Sequence, residues 1–271
     1  MHSGYIWYTE ITSQEKGFEM NALAHTANGQ KAANPVFLAV GDSALAVQFG
    51  DSVDPQANRK VIALGHSLDS DPVAGVLECV PTYRSLLVNY DPEILRGAEL
   101  EVLLALRLAD LELGDEAGRL WHVPVVYGGA VGMDLDALAE EKGMTPEALI
   151  ALHSSVECRV YMIGFAPGFT YLGGLPAAIH TPRLAVPRQS IPAGAVGIGG
   201  QQGSINSVTG PSGWRFIGWT PWRAFDPARA EPFLFAAGDR MRFVPVSAEA
   251  GTEIAENIAA GRLLPTPEGK A

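Results

Sequence analysis

Cysteine is scarce in this chain of 271 residues: two occur, Cys79 and Cys158. A disulfide framework needs more, and no Cys-x-x-Cys spacing of the zinc-binding kind is present. Both are expected to be buried or half-buried thiols in a reducing cytosol. Cys158 lies in the strand-like Glu157-Cys158-Arg159-Val160-Tyr161, with no neighbouring histidine to turn it into a nucleophile. No apolar run is long enough to cross a bilayer. The first 33 residues lack the basic start and apolar stretch of a signal peptide. The expectation is a cytoplasmic protein with no membrane partner.

Charge is also sparse. Charged residues make up 18% of the chain, with 19 Lys and Arg against 30 Asp and Glu, a formal net charge of -11. That field repels a phosphate backbone, so no nucleic-acid partner is expected. So few charges leave room for a buried interface. No Gly-x-x-x-x-Gly-Lys-Ser/Thr loop, Gly-x-Ser-x-Gly elbow or His-Glu-x-x-His helix occurs. The six histidines do not cluster at ligand spacing, so no metal site is expected.

Hydrophobic residues, at 47%, supply a packed core with ease. Val36 to Val40 and Ala44 to Phe49 flank a Gly-Asp-Ser turn, predicting a strand pair. Asp54-Pro55 opens a helix with Val61, Ile62, Leu64 and Leu68 inward. Val73 to Val80 and Ser85 to Tyr90 predict two more strands, and Asp91-Pro92 predicts the start of a helix from Glu93 to Leu106. The order β-β-α-β-β-α is a compact α+β unit. From Trp121 onward, a strand at His122–Tyr127 precedes two short helices, started by Asp134 and by Thr145-Pro146. Glycine and proline then punctuate short apolar runs as far as Val246, the pattern of a small β-barrel or sandwich. A last helix is predicted over Thr252 to Ala260. The expected division is 1–33 a disordered or loosely packed extension, 34–118 an α+β unit, 119–247 a barrel and 248–271 a tail.

Several residues invite chemistry. Gly164 to Pro176 is rich in glycine, proline and aromatic residues. A stiff loop of that kind points to a binding rim or to a packed Ω-loop. Arg183 and Arg188 each follow a proline. In an acidic chain they suggest a carboxylate or phosphoryl site, with a structural salt bridge as the alternative. In an extended segment their odd offset puts them on opposite faces. Gln201 and Gln202 offer amides to a ureido or lactam group. Trp214, Trp219 and Trp222 mark either an interface or a core. His153 ends a helix, where a protonated ring would favour the dipole; it is also a candidate proton carrier. Gly197-Ile198-Gly199-Gly200 reads better as a barrel turn than as a nucleotide loop, because no helix-forming segment follows it.

These motifs resemble one family in order and spacing. Tyr127-Gly128-Gly129, Gly132-Met133-Asp134-Leu135, His153, Gly164 to Leu172, Pro182-Arg183, Pro187-Arg188, Pro192 to Val196 and Gly213-Trp214 carry the likeness. They are similar to the family of the 5-oxoprolinase B subunit, the allophanate hydrolase subunit 1 and the KipI-type kinase inhibitors. The resemblance runs from about Val36 to Val246. It implies an α+β fold with a cyclophilin-like barrel as its second part. It also implies a role within an ATP-dependent hydrolase complex that opens 5-oxo-L-proline to L-glutamate. The partners implied are a homologous barrel subunit of the C type and a third subunit of the LamB/YcsF type, with ATP bound at the level of the complex. The alternatives within the family are a kinase inhibitor and a urea- or allophanate-type carboxyltransferase subunit.

On this reading His153, Arg183 and Arg188 are the candidate catalytic residues. Gly168, Phe169, Tyr171, Gln201, Gln202 and Trp214 are the candidates to shape a pocket for a small anionic substrate. Trp219 stands where the family usually has arginine, which removes one anion contact.

Overall fold

The computed structural model describes residues 35–111, 113 and 118–269. The extension expected over residues 1–33 lies outside them. Strand β1 (Val36–Ala39) and strand β2 (Ala44–Gln48) pair around a turn in which Gly41 has φ +68°. Helix α1 (Pro55–Ser70) starts as its sequence dictates: the Asp54 side chain accepts from the Ala57 N–H at 2.8 Å, and proline occupies the first turn. Strand β3 (Val76–Pro81), strand β4 (Ser85–Tyr90) and helix α2 (Gly97–Ala109) follow. The sheet order is β1-β2-β4-β3. Val47, Leu86 and Val88 of the sheet pack with Val61 and Leu64 of α1 and with Leu100 and Leu104 of α2.

Helix α2 starts later than its sequence predicts. The Asp91 carboxylate accepts from the Glu93 N–H, and its carbonyl accepts from Ile94 and Leu95, so Asp91-Pro92 opens a turn instead. The helix begins only after Arg96, whose N–H donates to the Glu99 side chain at 3.1 Å.

The second part is a closed barrel. Its strands are β5 (Leu120–Tyr127), β6 (Cys158–Ile163), β7 (Thr170–Gly173), β9 (Ala195–Gly199), β10 (Gln202–Ile205), β12 (Arg215–Trp219) and β13 (Arg240–Pro245). They run in the order β10-β7-β6-β13-β5-β12-β9 and close on β10. Helix α3 (Leu135–Glu141) and helix α4 (Pro146–Ser154) add Leu138, Ala139 and Leu149 to its core. A two-stranded sheet, β8 (Arg188–Ile191) with β11 (Gly210–Ser212), lies beside the barrel. Helix α5 (Ala248–Ala259) is longer than predicted because Ser247 caps it, accepting from Ala250 N–H at 3.2 Å. The chain is therefore α+β with a barrel, as its sequence led us to expect. No helix among the described residues is long and apolar enough to span a membrane.

The described residues belong to one compact unit, and Asn58 of α1 ties its two parts together. It is fully buried, donates to the carbonyls of Tyr161 (3.0 Å) and Thr82 (3.2 Å), and accepts from Arg159 Nε at 3.1 Å. Tyr83, in the turn between β3 and β4, stacks on Tyr161 with centroids 4.9 Å apart. One hydrogen-bonding residue and one ring thus fix the sheet against a specific patch of barrel wall.

Candidate functional site

That patch is the outer wall formed by β6, β7, β10 and β9. Side chains alternate across a strand. Leu172, Val196, Ile198 and Ile205 face the core, so Tyr171, Gly173, Gly197, Gly199, Gln202 and Ser204 face outward. The register sets Ser204 opposite both Tyr171 and Gly197, and Gln202 opposite Gly199. The glycines leave this wall bare. A Cβ on Gly199 would sit 2.8 Å from the Trp214 ring, one on Gly197 would sit 2.9 Å from Phe216, and one on Gly173 would sit 2.4 Å from Tyr161. Without side chains at these positions, aromatic rings lie directly on the backbone.

The rings form a continuous layer. Phe169 meets Tyr171 at 4.7 Å and Trp214 at 6.0 Å; Tyr171 meets Trp214 at 6.0 Å and Tyr83 at 6.2 Å. Phe169, Trp214 and Phe216 are buried together with Ile191 and Ala195. Arg183 lies over this layer, its guanidinium carbon 4.7 Å from the Trp214 ring centroid. Its Nη2 reaches Gln202 Oε1 at 3.5 Å, the limit of a hydrogen bond. No carboxylate of the described residues forms an ion pair with it. Burial raises the pKa of the Tyr171 hydroxyl, and the Arg183 charge opposes that rise. Tyr83 is pushed up as well, first by burial, so both rings stay neutral phenols. The surface therefore offers an exposed cation, an amide and a neutral phenol above an apolar floor.

Of the residues singled out in the sequence, Phe169, Tyr171, Arg183, Gln202 and Trp214 come together here. Gly168 shapes the approach: it has φ +74°, and a Cβ on it would lie 2.7 Å from Phe225 Cβ, so only glycine turns the loop here to bring Phe169 inward. Gln201 sits in the exposed turn between β9 and β10. Arg188 is elsewhere engaged, donating to both oxygens of the buried Asp134 carboxylate at 2.8 and 2.6 Å. The Pro-Arg pairs thus part company: one guanidinium is held by a carboxylate, the other rests on a ring.

His153 is fully buried. Its Nδ1 meets the Tyr127 hydroxyl at 2.7 Å, its ring stacks on Phe243 at 4.5 Å, and its Nε2 has no partner. Burial lowers its pKa to about 3. Desolvation thus favours the neutral ring, whatever the helix dipole would offer a protonated one. Trp222 is buried like Trp214, and Trp219 is half-buried with its Nε1 donating to the Ala193 carbonyl at 3.2 Å.

Sequence reasoning missed Tyr83 and Ser204. Tyr83 gave no signal, because its partner ring Tyr161 is distant in the chain. Ser204 was findable from strand periodicity, two residues beyond Gln202 and so on the same face. Its hydroxyl is buried and has no partner.

The Gly197 to Gly200 stretch makes no phosphate cradle: Gly197 and Gly199 make room for Phe216 and Trp214, and strand β10 follows where a phosphate loop needs a helix. Among the described residues no group of three or more His, Cys, Asp and Glu is placed to hold a metal ion.

The chain belongs to the family of the carboxyltransferase domain, subdomain C and D, which it matches over residues 35–235. It is 39% identical over 219 residues to the 5-oxoprolinase B subunit of Bacillus subtilis (strain 168), covering 77% of this chain and 91% of that protein. It is 40% identical over 211 residues to the 5-oxoprolinase B subunit of Escherichia coli O157:H7, covering 76% and 94%. The crystal structure of TTHA0988 superposes with a TM-score of 0.69 at 36% identity, covering 76% of this chain and 40% of that one. Kluyveromyces lactis urea carboxylase shares the fold, with a TM-score of 0.71 at 18% identity over 86% of this chain and 24% of its own.

Proposed function

We propose that this chain is the B subunit of a hetero-oligomeric, ATP-dependent 5-oxoprolinase in the cytoplasm, and that its Arg183 surface holds the substrate. The named relatives support the first part, since they are 5-oxoprolinase B subunits matched over most of their length. One observation carries the second: Arg183 lies over Trp214, beside Gln202, with no carboxylate to neutralise it. 5-Oxoproline is a flat five-membered lactam bearing one carboxylate. A guanidinium takes a carboxylate through two parallel N–H bonds. The Gln202 amide, nearby on β10, can pair with the lactam N–H or C=O. Phe169, Tyr171 and Trp214 then exclude water from one side of the ring.

In this reading Arg188 shapes the loop that carries Arg183, and His153 stays within the barrel core; neither touches the substrate. ATP and the companion chains, a C-type barrel and a LamB/YcsF-type protein, complete the reaction at the level of the assembly. The wall described here supplies binding and orientation.

The test is 5-oxoproline-dependent ATP hydrolysis by the three purified subunits. Losing a charge-assisted two-point contact costs roughly 1.5–3 kcal/mol, so Arg183→Ala should raise KM for 5-oxoproline about 10- to 100-fold, and Arg183→Lys should restore part of that. Turnover that is the same with and without this chain would end its assignment to the complex. An unchanged KM in Arg183→Ala would end the site assignment alone.

A further inference from the structure

Helix α2 is apolar on its outer face as well as its inner one. Leu100 and Leu104 are buried against the sheet, yet Val102, Leu103 and Leu106 are 59%, 42% and 63% exposed. Large apolar side chains left exposed side by side on a helix mark a surface that another element covers. Among the described residues nothing covers this one. The face continues into a shallow groove against α1, floored by Ala63, Leu103, Leu106 and Leu111.

The charges along the same face say what fits it. Arg96, Glu99, Leu103, Leu106 and Asp110 follow the three-four-three-four spacing of a single helical seam. Its first residue is basic and its last is acidic. Arg96 and Asp110 are both exposed, and neither forms an ion pair within the described residues. Turn a second copy of the helix antiparallel about Leu103, and Leu103 meets its own copy. Arg96 then faces the partner's Asp110, twice by symmetry. Two antiparallel helices also oppose their dipoles. A parallel arrangement would instead set Arg96 against Arg96 and Asp110 against Asp110. We propose that α2 is the seam of a two-fold homodimer, with a second copy of this chain packed antiparallel along Val102, Leu103 and Leu106. The same surface on both partners is what two-fold closure requires.

The experiment is sedimentation velocity on the full-length chain, purified alone, over a wide dilution series. The wild type should sediment as a dimer that dissociates on dilution. Leu103→Asp buries two carboxylates at the two-fold axis and should raise the dimer Kd by about a hundredfold or more. Arg96→Asp and Asp110→Arg should each raise it about tenfold by setting like charges together, and the double swap Arg96→Asp with Asp110→Arg should restore it. All of these substitutions lie on exposed positions, and circular dichroism melts check that each variant is folded. A wild type that stays monomeric throughout, a dimer untouched by Leu103→Asp, or a double swap no better than the singles would each overturn the proposal. A monomer that binds a companion chain through this face would overturn it too. None of these results bears on the Arg183 surface.

Discussion

Arg188 and Asp134 meet at two points, 2.8 and 2.6 Å, and the same carboxylate accepts from the Phe216 N–H at 2.7 Å. Three elements converge on one buried acid: the start of α3, strand β8 and strand β12. Arg188 thereby anchors the segment that begins at Arg183, while Phe216 holds the strand next to Trp214. For Arg188 the structure shows the salt bridge that the sequence left open beside an anion site.

Breaking that clamp leaves a buried carboxylate without its cation. Arg188→Ala should cost about 3 kcal/mol of stability. The double variant Asp134→Leu with Arg188→Met should recover only part of this, because the Phe216 N–H then stays unpaired, worth about 1–3 kcal/mol. Urea unfolding of the three proteins measures it. A double variant as stable as wild type would show that the Phe216 bond contributes nothing.

His153 makes the fold sensitive to acid. Its pKa is lowered by burial from 6.5 to about 3, so the unfolded chain binds a proton there that the folded chain refuses. The sign follows: this contribution is whole above pH 6.5 and is lost as pH falls toward 3, at up to about 1.4 kcal/mol per pH unit. Between about pH 7.5 and about pH 5 the wild type should lose roughly 2 kcal/mol more than His153→Gln does. Urea midpoints at the two pH values give the difference directly. Parallel losses in the two proteins would mean that the ring titrates normally.

Gly199 should reveal whether the bare wall matters. A Cβ there meets the Trp214 ring at 2.8 Å and Arg183 Cγ at 3.2 Å, whereas a Cβ on Gly200 meets nothing within 4 Å but sits at φ +66°. Gly199→Ala should cost about 1–3 kcal/mol through overpacking and lift Trp214 from its place. Gly200→Ala should cost about 1 kcal/mol through backbone strain alone. Tryptophan emission separates them: a shift is expected in the first variant and none in the second. Substrate binding should weaken only in the first.

Much of the local structure was legible. Asp54-Pro55 and Thr145-Pro146 start helices because each supplies a cap and a proline suited to the first turn, and both devices work within a few residues. Asp91-Pro92 looks the same and is not: Asp91 accepts from the N–H groups of Glu93, Ile94 and Leu95 in a turn, and the extended backbone at Arg96 starts the helix afresh. The candidate site was legible in part. The ring-rich loop and the two arginines stand out by composition. Which arginine is neutralised does not, since Asp134 is 54 residues from Arg188 along the chain.

By itself the sequence determined the α+β order of elements and family membership, because these are carried by residues close together or by their spacing. Only the tertiary structure decided that Arg183 rests on Trp214 while Arg188 is bound, that His153 is neutral, and that Tyr83 reaches across to the barrel. Charge and protonation depend on which groups are brought within a few ångströms and on how much water is removed. Chain closure sets both, across separations that local pattern does not record.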